Sequence, residues 1–146
     1  MGGCTVTELS LSAVSRPISW GEMDLFGHLN NVHYFRYLED ARIAFLNHLR
    51  FFENNLYSVI LKNECEYHRP VVYPDCLNTH SYVTHVGNSS FTMLYQVFSK
   101  QQESLVATGK RVIVLVDPGR FEKKSIPVEM RERLINYMQE FQPHGQ

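Results

Sequence analysis

Residues 23–31 read MDLFGHLNN and bring a carboxylate (Asp24), an imidazole (His28), two carboxamides (Asn30 and Asn31) and a glycine (Gly27) into one short stretch. Gly27 allows a sharp or left-handed bend, so the Asp24 carboxylate is able to fold back toward the residues from Val32 onward. Those residues carry a helix-forming pattern. A helix start offers unsatisfied N–H groups and the positive end of the macrodipole, a setting for negative charge that includes charge developing on a carbonyl oxygen. Asp24 and that oxyanion site would then face one substrate. The plainer alternative is that Asp24 is a turn residue and that His28 packs or caps, as such residues commonly do before helices. The crowding of His28, Asn30 and Asn31 with the acid favours chemistry.

The elements that must position this motif are legible from periodicity. Ser15 to Met23 alternates Ile18 and Trp20 against Ser19 and Gly21, which predicts a strand leading into the motif. Val32, Phe35, Leu38, Ala41, Phe45, Leu49 and Phe52 recur at steps of three or four, predicting one helix of about five turns, with Asn30 or Asn31 as its N-cap. Four further strands are expected at Tyr57 to Arg69, Cys76 to Val86, Ser90 to Gln101 and Leu105 to Val116, separated by RPVVYPD, VGNSS and SKQQES. An antiparallel meander is the economical pairing. A surface helix, Val128 to Phe141, carries Leu134, Met138 and Phe141 on one stripe and leaves Arg131, Glu132 and Arg133 for solvent.

Five strands with a long helix after the first predict an α+β fold in which the sheet curls around the helix. The whole of 1–146 reads as one domain, with a core of about 15–120. Exposed sheet edges in so small a sheet predict a homodimer or homotetramer.

Composition excludes several partners. Lys and Arg total 14 against 15 Asp and Glu, so no global positive field draws nucleic acid or an anionic membrane, and any anionic ligand must meet a local patch. No run approaches the ~18 apolar residues of a membrane span. Cys4, Cys65 and Cys76 are odd in number and lack C-x-x-C spacing, which argues against a disulfide framework or a zinc site and for a reducing compartment. The start lacks the charged and apolar regions of a secretory signal, and MGGCTV has Val6 where a myristoylation motif needs Ser or Thr, so the protein is expected to be cytoplasmic. The seven histidines show no metal-ligand spacing, and no nucleophile elbow, P-loop or dinucleotide fingerprint occurs. No cofactor and no metal are expected.

The stretch ISWGEMDLFGHLNNVHYFRYLEDARIAFL resembles the signature of the hotdog-fold acyl-CoA thioesterases, the 4-hydroxybenzoyl-CoA thioesterase-like superfamily that includes the YbgC-type enzymes. The resemblance extends through NECEYHRPVVYPDCLNTHSYVTHVGNSSFTMLYQVF, VATGKRVIVLVD and IPVEMRERL, from Pro17 to Leu134. It implies a curved five-stranded sheet around a central helix and hydrolysis of an acyl-CoA thioester, with an aryl-CoA or acyl carrier protein thioester, or non-catalytic acyl binding, as alternatives. It further implies that Asp24 attacks the thioester or activates water and that a backbone N–H at or beside Asn31 polarises the carbonyl. His28 would orient the acid, the carbonyl or water. The Asn that some related plant enzymes carry two residues after the acid is Phe26 here, so their fuller arrangement does not transfer. Glu39 is the second-line acid, while Asp40 and Arg42 are expected in ion pairs. Arg69 and Arg111, with Lys62 and Lys110, are the local cations for the phosphates of CoA.

Overall fold

The computed structural model describes residues 7–10 and 12–143, so the MGGCTV start and Cys4 lie outside the described residues. The chain runs through β1 (Thr7–Ser10), β2 (Ala13–Pro17), α1 (Tyr34–His48), β3 (Ser58–Tyr67), β4 (Cys76–Val86), β5 (Ser90–Ser99), β6 (Ser104–Leu115) and α2 (Val128–Glu140). Three 3-10 turns, Trp20–Glu22, Asn31–His33 and Phe52–Asn54, punctuate it. The fold class is the α+β hotdog arrangement that the sequence suggests.

The sheet differs from expectation in number and order. It holds six strands in the order β1-β2-β4-β5-β6-β3, all pairs antiparallel. The extra strand, β1, is four residues long, too short to leave an alternation that a pattern search would register. Only β4, β5 and β6 form a meander. Because α1 intervenes between β2 and β3, these two strands flank the meander on opposite sides, β2 against β4 and β3 against β6.

The first strand also ends earlier than its alternation implies. Ile18 is buried as expected, but Trp20 is 76% exposed, because Ser19 to Glu22 closes a turn with Glu22 N–H donating to Ser19 O at 3.0 Å. The helix α1 is shorter than its apolar pattern. Its buried stripe is Tyr34, Tyr37, Leu38, Ala41, Phe45 and Leu46, whereas Val32 and Phe52 at the ends of the pattern are exposed. At the C-terminal end Arg50 adopts φ +58°, which a right-handed helix does not accommodate, and Phe51 N–H turns back to Leu46 O.

The core lies between α1 and the sheet face it packs on, joining Leu38, Phe45, Phe91, Met93, Val97 and Ile113. The helix comes close enough to β6 that a Cβ at Gly109 would stand 2.5 Å from Leu38 Cδ1, so any side chain there would force the buried Leu38 to shift. α2 contributes Met130, Leu134 and Tyr137 to the same core. Tyr137 packs edge-on against Phe45 at 4.6 Å and donates its hydroxyl to Ser81 O. Arg133, expected in solvent, instead donates to Leu49 O at the end of α1. Cys65 is a half-buried free thiol, and Cys76 Sγ lies 2.9 Å from Ser15 Oγ.

Candidate active site

The segment between β2 and α1 folds into a closed loop around Asp24. Met23 and Leu29 form an isolated bridge, Asp24 N–H donates to His28 O at 2.7 Å, and Gly27 N–H donates to Asp24 O at 3.0 Å. Gly27 has φ +79°, so the bend uses its freedom. The carboxylate takes part: Oδ1 accepts from Phe26 N–H at 2.8 Å and from His28 N–H at 3.1 Å. Those two bonds orient the acid and leave Oδ2 without a hydrogen bond among the described residues. The turn role and the chemical role are therefore compatible, each using a different oxygen.

The loop delivers the chain to α1 through the Asn31–His33 turn, and Asn30 is the cap. Its side-chain oxygen accepts from Val32 N–H at 3.2 Å, and its carbonyl accepts from His33 N–H at 3.0 Å. Tyr34 N–H donates to Asn31 O. Of the first N–H groups, the one at Asn31 has no acceptor among the described residues. It stands at the positive end of the helix, where an oxyanion gains from both the donor and the dipole.

Asp24, His28 and Asn31 come together in one pocket of about 240 Å³, whose wall also includes Leu29, Tyr34, Tyr67, His68, Arg69 and Pro70. Sequence reasoning missed Tyr34, Tyr67 and His68. Tyr67, at the end of β3, donates its hydroxyl to Asn31 O at 3.3 Å and packs edge-on against Tyr34 at 4.9 Å. Burial, reinforced by neighbouring Cys65, pushes the Tyr67 phenol up to about 12, and burial likewise raises Tyr34, so both hydroxyls remain donors at neutral pH. His68 Nε2 lies 2.8 Å from Thr108 Oγ1. The only sequence signal for Tyr67 and His68 is their adjacency to Arg69, and for Tyr34 its place three residues after Asn31.

The expected cations separate. Arg69 lines the pocket and has no ion-pair partner among the described residues. Lys62 is paired with Glu64 at 2.6 Å. Arg111 is 2% exposed, and the expectation that it meets substrate phosphate is corrected: Nε donates to Asn63 Oδ1 at 2.9 Å, Nη2 donates to Phe35 O at 3.0 Å, and Nη1 lies 3.6 Å from Glu39 Oε1. β6 lies between β5 and β3, and its residues 109, 111 and 113 share the face turned to α1, so the guanidinium ties β3 to the helix. Glu39 is held by Arg42 and Arg111 and does not line the pocket, and Asp40 pairs with Arg16. No group of three or more His, Cys, Asp or Glu side chains among the described residues is arranged to hold a metal ion.

A carboxylate and an unclaimed main-chain N–H on residues that line one pocket are the groups able to supply an electron pair to a carbonyl or to water and to receive the charge that develops. A family model described as the thioesterase-like superfamily matches residues 18–134. Protein YsmA of Bacillus subtilis is 31% identical over 121 residues, 82% of each chain. The long-chain acyl-CoA thioesterase FadM of Escherichia coli is 25% identical over 116 residues, 77% of this chain and 88% of its own. Among solved structures, a Thermus thermophilus thioesterase complexed with coenzyme A and Zn superposes with a TM-score of 0.78 at 25% identity, covering 91% of this chain and 98% of that one.

Proposed function

The chain belongs to the thioesterase-like superfamily and is a thioester hydrolase, and from that premise we propose that it cleaves an acyl-CoA thioester to a free carboxylic acid and CoA. The observation that carries the reading is that Asp24, whose Oδ2 has no hydrogen bond among the described residues, lines the same pocket as Asn31, whose N–H has no acceptor among them. Asp24 supplies the electron pair, either by adding to the carbonyl carbon to give a mixed anhydride that water then opens, or by taking a proton from water as it adds. On either route the carbonyl oxygen becomes an oxyanion held by the Asn31 N–H and the C–S bond breaks; CoA leaves as its thiolate, which takes a proton from solvent on the anhydride route and the proton that Asp24 took from water on the other. The His28 N–H is held by the Asp24 carboxylate, and in this reading the His28 ring orients the acid, the carbonyl or water. A thioester is an activated acyl donor, and a positioned carboxylate with a preorganised donor is sufficient chemistry for it. Arg69, at the pocket wall, is the cation offered to the CoA phosphates.

The working unit in this reading is a homodimer or a dimer of dimers. β3 is a ten-residue edge strand whose residues are mostly exposed, including Leu61 at 67%, which supports pairing with a second copy. The proposed compartment is the cytoplasm; no helix among the described residues is long and apolar enough to cross a membrane.

The test is a hydrolysis screen over straight-chain, branched and aromatic acyl-CoA substrates and an acyl carrier protein thioester, read by free thiol. Asp24→Asn keeps size and hydrogen bonding but removes basicity and nucleophilicity, and it is expected to lower kcat by at least ~10²-fold with an unchanged thermal melt. A folded Asp24→Asn protein at wild-type turnover would move the acid elsewhere. Label found in the Asp24 carboxylate after a single turnover in heavy-oxygen water shows the anhydride route, since water that opens the anhydride at the Asp24 carbonyl carbon leaves its oxygen there and the general-base route never does.

A further inference from the structure

Glu22 stands immediately before the Met23–Asp24 pair, yet unlike most glutamates it is 8% exposed. Its Oε1 accepts from Ser19 N–H at 2.7 Å and from the Tyr37 hydroxyl at 2.7 Å. Its main-chain carbonyl accepts from Asn30 N–H at 3.0 Å, and Oε2 lies 3.7 Å from His33 Nδ1. One residue therefore touches the chain before the loop, the cap after it, the turn that starts α1, and the first full turn of the helix itself.

We propose that Glu22 is a positioning residue, a buried clamp that holds loop 23–30 against the start of α1 so that the Asp24 carboxylate and the Asn31 N–H face the same pocket. This inference rests on the acyl-CoA hydrolysis reading above. A glutamate that merely caps the Trp20–Glu22 turn needs only the Ser19 bond and gains nothing from burial, which penalises a carboxylate unless partners compensate. The compensation here comes from α1. Tyr37 is 1% exposed, and burial, followed by the bond to Glu22, holds its phenol in the protonated donor form. Arg16, paired with Asp40 of the same helix, places its guanidinium 5.6 Å from the centre of the Tyr37 ring and fixes the ring from the other side. The two halves of the site come from opposite ends of one loop, and a displacement of about 1 Å at such a site costs up to ~10²-fold in rate.

The test compares Glu22→Ala, Glu22→Gln, Tyr37→Phe and the Glu22→Ala/Tyr37→Phe double variant with wild type. The readouts are the thermal melt, kcat and KM on the best acyl-CoA of the screen, and amide hydrogen exchange. The expected result is a fall in kcat of about tenfold or more for Glu22→Ala and Tyr37→Phe, with KM changed by less than about twofold. The double variant should be no slower than Glu22→Ala, because the two residues act as one unit. Glu22→Gln should recover most of kcat, since the amide oxygen still accepts from Ser19 and Tyr37. The amides of Phe26 and His28, which Asp24 holds, should exchange faster in Glu22→Ala while those of α2 are unchanged. Variants that melt lower yet keep wild-type kcat and wild-type exchange in the loop would overturn the proposal and leave Glu22 a stabilising residue only. If Glu22→Ala does not fold, Tyr37→Phe and Glu22→Gln decide on the same readouts. A wild-type protein that hydrolyses no acyl-CoA would overturn the functional reading, and loop exchange would then decide the clamp alone.

Discussion

At the scale of single residues, this chain separates two arginines that sequence makes look alike. Arg69 ends in the wall of the pocket, and Arg69→Ala is expected to raise KM for acyl-CoA severalfold while leaving the melt in place. Arg111 is buried among Asn63, the Phe35 carbonyl, Glu39 and the face of the Tyr95 ring, 5.7 Å away. Arg111→Ala leaves Asn63 Oδ1 and the Phe35 carbonyl without their donor while the more exposed Glu39 keeps Arg42, a loss on the order of 1–3 kcal/mol that should appear first as a lowered thermal midpoint. Equal melts for the two variants, with equal KM, would contradict this division. Asp24 teaches the complementary point. A turn-capping aspartate and a reactive one differ only in what its second oxygen meets, and no spacing rule reports that.

At the scale of elements, two contacts bear the weight of the arrangement. The crossing of α1 over β6 depends on Gly109, where even a methyl group would stand 2.5 Å from Leu38 Cδ1. Gly109→Ala should cost about 1–3 kcal/mol as an overpacked core site, and Leu38→Ala in the same chain should restore part of it, a coupling that a thermal-melt double-mutant cycle measures. The second is β3, whose inner edge pairs with β6 while its outer edge offers unpaired backbone groups along ten residues. Sedimentation at micromolar concentration is expected to give a dimer or tetramer, and Leu61→Lys should weaken it, since edge lysines discourage strand pairing. A monomer that hydrolyses acyl-CoA at full rate would remove the second copy from the mechanism. The elements themselves were largely legible. β4, β5 and β6 lie within two residues of their expected bounds because alternation and turn residues agree there, whereas β2 and α1 were overextended where apolar Trp20, Val32 and Phe52 continue a period that the backbone has already left.

At the scale of the whole molecule, tyrosines set a limit on stability at high pH. Burial is the first cause of raised phenol pKa values at Tyr34, Tyr37, Tyr67, Tyr82, Tyr95 and Tyr137. In the unfolded chain these groups lose protons near pH ~10, while in the folded chain they keep them, Tyr67 up to about 12. The stabilisation is fully present below the unfolded value and is lost as pH rises through the folded values, so the thermal midpoint should fall progressively above pH ~10, with phenolate absorbance appearing together with unfolding. Phenolate absorbance equivalent to all eight tyrosines in a chain that stays folded at pH ~11 would contradict it. The sequence by itself determined the α+β class, the strands from residue 76 to residue 115, the Asn-capped helix start and the gathering of Asp24, His28 and Asn31, because periodicity, turn chemistry and capping act over a few neighbouring residues. Tertiary structure alone decided that β3 crosses to the far edge, that Tyr67 and His68 line the pocket and that Arg111 is a buried tie. Those outcomes depend on which strand faces which helix across 36 to 76 residues of intervening chain, as between Asn31 and Tyr67 or Phe35 and Arg111, and no local preference encodes such a contact.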